Sequence, residues 1–244
     1  MKLSPEEKAE LRNQFLQMNT ADKVDYCFTY YKIHIIAVFL ILIIVVSIAI
    51  RVSEKKETML YLGMVNVSFG SVMEEHLTSG FLEQLGNSDN KYEIYEYKDL
   101  YLSDNPASEN HEYEYASQMK ILAAINSKEM DLVIMNREAY DIFSQNGYLM
   151  DISEAFSQGE PDLLNRLEPY IISNEIILSD NSIDVALGEA TERVYESMPS
   201  KNGIIASDLP FFRDAGFSDD VFVGIIANTP RIQFVAKYLK YIIP

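Results

Sequence analysis

Ile35-Ile-Ala-Val-Phe-Leu-Ile-Leu-Ile-Ile-Val-Val-Ser-Ile-Ala-Ile50 is sixteen residues of which thirteen are Ile, Leu, Val or Phe. With Ile33 and Val52 at its edges, the run covers about 30 Å as a helix, the thickness of a bilayer's hydrocarbon core. Its apolar side chains favour insertion by something on the order of 5 kcal/mol, enough to outweigh the flanking His34 and Arg51. The stretch therefore predicts one transmembrane helix over 33–52. Around it fall a cytoplasmic amphipathic leader over 1–32, a charged linker over 53–57 and a large extracytoplasmic domain over 58–244.

A cleaved signal peptide is the competing reading, because Ser47 and Ala49 place small residues near the end of the apolar run. Against it stand a long leader carrying Glu6, Glu7, Glu10, Asp22 and Asp25, and an apolar core beyond signal-peptide length. No Cys follows the run, so lipid attachment to such a residue is excluded. Charge near the span does not decide orientation, since Arg51, Lys55 and Lys56 balance the cations of the leader. The preferred arrangement is a single-pass cell-membrane protein with its N-terminus in the cytoplasm.

Outward on the N-terminal side, Ser4-Pro5-Glu6-Glu7 is a capping box with Pro at the first helical position. Asn19-Thr20 breaks and recaps the chain before a second helix. Tyr26, Phe28, Tyr30 and Tyr31 suit headgroup depth, where a ring with a polar tip is favoured.

The chain carries 20 Lys+Arg and 37 Asp+Glu, a net charge of −17. Eight of the cations and six of the acids lie in residues 1–56, leaving 12 against 31 beyond, a net charge near −19 for the large domain. That surface repels polyanions and argues against nucleic acid as a partner. The single cysteine, Cys27, lies in the leader, so the large domain has no disulfide framework, thiolate zinc site or thiol nucleophile.

Beyond the linker, strand and helix patterns alternate: strand over 59–67, helix over 73–85, strand over 92–97, helix over 111–126, strand over 131–135, helix over 137–145. The order β-α-β-α-β-α predicts an α/β fold with a mainly parallel sheet and helices on its faces. After it, 161–167 reads as helix and 170–178 as strand, while 183–198 is ambiguous between the two. The chain closes with a strand over 221–227 and a helix opened by Thr229-Pro230.

Asp131-Leu-Val-Ile-Met-Asn136, a helix, and then Gly147-Tyr-Leu-Met-Asp-Ile-Ser153 resemble a recurring passage of bacterial extracellular solute-binding proteins, the type II periplasmic-binding fold of ABC importers. Val221-Phe-Val-Gly-Ile-Ile-Ala-Asn228 with Thr229-Pro230-Arg231 is similar to that family's strand-to-helix ending. The likeness covers about a quarter of the domain. It implies a periplasmic-binding-protein-like domain working as a receptor, transport accessory or sensor subunit without catalysis. Members are usually larger and rich in Trp, whereas this chain has none, a departure that implies a reduced second lobe.

In a parallel sheet ligands sit at strand ends. That reasoning selects Asn66 and Ser68 after the first strand, Asn136 and Arg137 after the third, and Asn228 and Thr229 at the last strand-to-helix turn. Asn136 and Asn228 also suit plain helix caps, and Arg137 a solvated first turn.

Catalytic patterns are weak. His34, His76 and His111 are scattered without metal-ligand spacing. Ser117-Gln-Met-Lys120, Ser179-Asp180-Asn181 and Lys201-Asn202-Gly203 echo the three elements of penicillin-binding enzymes, but the third has Asn where Thr or Ser belongs. The expectation is no enzyme and no cofactor. The partners expected are the lipid bilayer through 33–52 and a small-molecule solute, together with a membrane protein. The alternative is a non-catalytic tethered scaffold that binds a protein partner.

Overall fold

The structure, a computed structural model, describes residues 4–53, 56–87, 91–103, 111–181, 185, 187–188, 191–192, 194–215, 217 and 219–243. They fall into two compact units, Met1–Lys55 and Lys56–Pro244.

In the first unit, α1 (Pro5–Gln17) starts at Ser4, whose hydroxyl accepts from the Glu7 N–H at 3.3 Å while the Glu7 carboxylate accepts from the Ser4 N–H at 2.7 Å. These two bonds satisfy donors that a helix start leaves open. Asn19 restarts the chain by accepting from the Asp22 N–H at 2.9 Å, and α2 (Thr20–Tyr30) and α3 (Lys32–Ser53) follow.

The transmembrane expectation is corrected here. Among the described residues no helix is long and apolar enough to cross a membrane. Helix α3 opens on Lys32 and His34, polar groups that a hydrocarbon layer disfavours. The single-pass cell-membrane location falls with it, and the bilayer contact expected of 33–52 loses its support.

The second unit begins with β1 (Glu57–Val65), whose apolar run ends in four buried residues. Helix α4 (Ser71–Glu75) passes through a π turn, His76–Gly80, into α5 (Phe81–Gln84). The wider turn leaves carbonyls open to outside donors. The Tyr241 hydroxyl donates to the His76 carbonyl and the Tyr238 hydroxyl to the Leu77 carbonyl, both at 2.9 Å. Gly80 permits this approach, since a Cβ there would stand 2.8 Å from the Tyr241 oxygen.

Then come β2 (Tyr92–Leu100), α6 (His111–Asn126), β3 (Leu132–Asn136), α7 (Arg137–Gln145), α8 (Ile152–Phe156), α9 (Pro161–Leu167), β4 (Ile171–Asp180), β5 (Tyr195–Ile205), β6 (Val221–Ile225) and α10 (Ile232–Ile242). Of the segment that read ambiguously, 183–198, the part from Tyr195 onward belongs to β5, and several residues before it lie outside the described set.

The six strands form one sheet in the order β2-β1-β3-β6-β5-β4. The expectation of a mainly parallel sheet is corrected: β1 pairs parallel with β2 and β3, but β3–β6, β6–β5 and β5–β4 are antiparallel. Crossover helices join the parallel strands β1, β2 and β3, and α7, α8 and α9 then lead to β4 at the far edge. Parallel neighbours need such crossovers, whereas β4 and β5 run back on one another.

Alternating side chains build a core on each face of the sheet. Leu132 and Ile134 of β3 point one way with Val221, Val223 and Ile225 of β6, against Leu77 and Phe81 and against α8, α9 and α10. Val133 and Met135 point the other way with Phe222, against Ile121 and Ala124 of α6 and Tyr140 and Phe143 of α7.

Candidate functional site

Strands β1 and β3 lie side by side in parallel, Leu62 opposite Leu132 and Val65 opposite Met135, so both end at the same edge of the sheet. From there the chain leaves in opposite directions. The helical segment after β1 packs on one face through Leu77 and Phe81, and α7 packs on the other through Ala139, Tyr140 and Phe143. Diverging connections leave a crevice between the strand ends, the general position for ligands in open α/β sheets. Here it is a cavity of about 270 Å³, walled by Asn66, Val67, Ser68 and Asn136 and by Phe217, Asp219, Asp220 and Val221 on the approach to β6.

Asn66 sits in the left-handed region with φ 57°, which a short polar side chain tolerates. Its amide nitrogen donates to the Leu102 carbonyl at 2.6 Å and to Asn136 Oδ1 at 3.2 Å, and its Oδ1 accepts from the Leu102 N–H at 2.9 Å. The side chain thus staples the segment after β2 to the end of β1, and it shapes the wall rather than offering itself to a ligand. Asn136 caps α7, its Oδ1 accepting from the Ala139 N–H at 3.0 Å. With that oxygen occupied, Nδ2 has no partner among the described residues, and neither has the Ser68 hydroxyl. Beyond Leu102, the Ser103 N–H donates to Glu114 at 3.3 Å and its hydroxyl to Glu138 at 2.6 Å, tying this loop to α6 and α7.

Three of the six residues selected from the sequence, Asn66, Ser68 and Asn136, therefore meet at one crevice. Arg137 is placed beside it on the exposed first turn of α7. Its Nε pairs with Asp141 at 3.1 Å, and its guanidinium lies 5.7 Å from the Tyr140 and Phe222 ring centres. Asn228 and Thr229 are at the opposite edge of the sheet. Asn136 pairs with Val221 and Leu132 with Ile225, so β6 starts at the crevice and ends away from it.

At that far edge the two residues serve the framework. Asn228 Nδ2 donates to the Ile125 carbonyl at 2.8 Å, and the Thr229 hydroxyl donates to Asp131. Asp131 is fully buried and also accepts from the Tyr61 N–H at 2.8 Å and from Arg231 Nε at 2.9 Å. The Arg231 guanidinium lies over the Tyr61 ring, 4.6 Å from its centre.

Asp219 and Asp220, both exposed at the crevice, were not among the residues selected from the sequence. The signal was present as two carboxylates ahead of a buried strand. Strand direction alone decides that they border the cleft.

The penicillin-binding pattern is not assembled. Ser117 is buried on α6, which packs against β2, whereas Ser179 and Lys201 belong to β4 and β5 at the other end of the strand order. Among the described residues no group of three or more His, Cys, Asp or Glu is placed to hold a metal ion.

Away from the crevice, Glu96 of β2 is held above the usual carboxylate range, chiefly because burial disfavours its charge and in spite of Lys98, whose ammonium stands 3.2 Å away. Burial likewise pushes the Tyr97 phenol up to about 12. Comparison of the chain with protein-family models, with curated proteins and with solved structures finds no match.

Proposed function

We propose that the α/β unit is a non-catalytic, single-lobed solute-binding-like domain that holds a small polar solute in the crevice at the ends of β1 and β3, as a receptor or transport accessory. The observation that carries this reading is the convergence of an amide donor, Asn136 Nδ2, and a hydroxyl, Ser68, neither with a partner among the described residues, on a cavity of about 270 Å³ bordered by Asp219 and Asp220. Few, well-placed polar groups in a concave site are how small-molecule sites select their ligands. The two carboxylates favour a solute with a cationic or donor-rich end over an anionic one.

The resemblance of 131–136, 147–153 and 221–231 to solute-binding proteins supports the same reading, and a cleft served from one lobe fits the single six-stranded sheet. Binding without closure of a second lobe implies modest affinity, because less of the solute is taken out of water.

The test is a thermal-shift screen of the full-length chain against amino acids, amines, sugars, short peptides and divalent cations. A ligand at about 100 times its Kd stabilises the native state by about 2.7 kcal/mol, a shift of several degrees for a domain of this size. The shift is expected to fall in the Ser68→Ala and Asp220→Ala variants. Absence of a shift with every solute class counts against a receptor.

A further inference from the structure

We infer that the outer edge of β4 is a docking strand for an extended, basic segment of a protein partner, which adds to the sheet as a seventh strand. The inference is independent of the crevice, which lies at the ends of other strands.

The sheet has two edges and they are built differently. At one edge, β2 carries Glu93, Glu96, Lys98 and Asp99, and it is fenced. Lys98 bonds Glu74 of α4 at 2.8 Å, and the Tyr113 hydroxyl of α6 donates to the Asp99 carbonyl. Charges and covering side chains are how an edge is kept from pairing with another chain.

At the other edge, β4 is ten residues long and carries five aliphatic residues, Ile171, Ile172, Ile176, Ile177 and Leu178, against two acids. Its inner half is held by α7, where the Ser144 hydroxyl donates to the Glu175 carbonyl at 3.0 Å and Asn174 donates to Asp141 at 2.7 Å. Beyond Ile176 the strand pairs with β5, Ile176 with Met198 and Asp180 with Tyr195. Leu178 is 56 % exposed, Tyr195 58 % and Met198 46 %, so the projecting half presents apolar side chains beside a row of main-chain groups with no strand outside them among the described residues.

Such an edge offers affinity through main-chain bonds and selection through alternate side chains. The charges nearby choose the occupant. Glu175, Asp180, Glu192 and Glu196 belong to this hairpin, and the sequence from 171 to 205 holds six acids against two cations, Arg193 and Lys201. An extended segment alternating Lys or Arg with aliphatic residues matches both the acidity and the apolar side chains. A second copy of the chain matches the apolar side chains but not the acidity, because it brings a like-charged strand on a domain of net charge near −19.

The test uses the full-length chain, kept dispersed in a nonionic detergent, and a fluorescein-labelled eight-residue peptide alternating Lys and Val, read by anisotropy. The peptide is expected to bind, with an affinity that falls as salt rises. An equivalent peptide alternating Glu and Val and one alternating Lys and Gly are expected to bind at least tenfold more weakly. The Leu178→Lys/Tyr195→Lys variant, changed only at exposed positions, is expected to lose at least tenfold for the Lys-Val peptide with an unchanged circular dichroism spectrum. The Glu175→Lys/Asp180→Lys variant is expected to turn its preference to the Glu-Val peptide. Equal binding of the Lys-Val and Lys-Gly peptides, equal binding by wild type and variants, or self-association of the chain through this edge would each overturn the inference.

Discussion

Replacing Asp131 with Ala tests the clamp that holds the far edge of the sheet. Asp131 has no exposed surface and accepts three hydrogen bonds, from the Tyr61 N–H, Arg231 Nε and the Thr229 hydroxyl. The Ala variant strands the Tyr61 N–H and leaves Arg231, whose side chain is only 22 % exposed, without its carboxylate. Removing one partner of a buried ion pair costs about 3–5 kcal/mol, because the remaining group stays desolvated. For a domain of this size each kcal/mol is worth about 2–4 °C, so the midpoint should fall by about 6–20 °C.

Arg231→Ala should cost less, since Asp131 keeps two donors. The double variant should fall short of the sum of the two by about 1–3 kcal/mol, the signature of groups in direct contact. The assay is urea unfolding followed by far-ultraviolet circular dichroism, with tyrosine emission as a second probe because the chain has no Trp and 16 Tyr. A loss below about 1 kcal/mol for Asp131→Ala, at an unchanged denaturant slope, would refute the reasoning.

Three further outcomes follow from the packing. Gly203→Ala should destabilise by about 1–3 kcal/mol in the same assay, because the new Cβ would lie 2.6 Å from the Tyr140 oxygen, which is itself anchored to Asn202 at 2.9 Å. Asn136→Ala should cost about 1–2 kcal/mol by removing the cap of α7 and the acceptor of the Asn66 amide, and Asn136→Asp, which keeps the acceptor, should recover most of it. Glu96→Gln should raise the melting temperature near neutral pH, since burial lifts the folded carboxyl's pKa above its unfolded value. That linkage stabilises the wild type below the unfolded pKa and is lost as pH rises through the folded one. The gap between variant and wild type should therefore close as pH falls below about 4.5, and a gap constant across pH would contradict it.

Much of the chain's local structure was legible without coordinates because local signals are short-range. Ser4 with Glu7, Asn19, and Asn136 ahead of α7 are caps whose donors lie three residues away. The runs 59–67 and 131–135 read as strands from their apolar residues alone, against Glu57–Val65 and Leu132–Asn136 in the structure. At the crevice, Asn66, Ser68 and Asn136 could be selected because they end parallel strands joined by crossover helices, a pattern visible in the order of elements.

What the sequence by itself determined is which segments form strands, which cap and which bury. What only the tertiary structure decided is the direction in which the late strands run. A buried strand such as Val221–Ile225 has the same residues whether it lies parallel or antiparallel to its neighbour, since side-chain alternation carries no sense of direction. Its antiparallel placement beside β3 sends Asn228 and Thr229 to the Asp131 clamp and brings Asp219 and Asp220 to the crevice. The open edge of β4 is likewise a property of strand order, set by contacts between residues far apart in the chain.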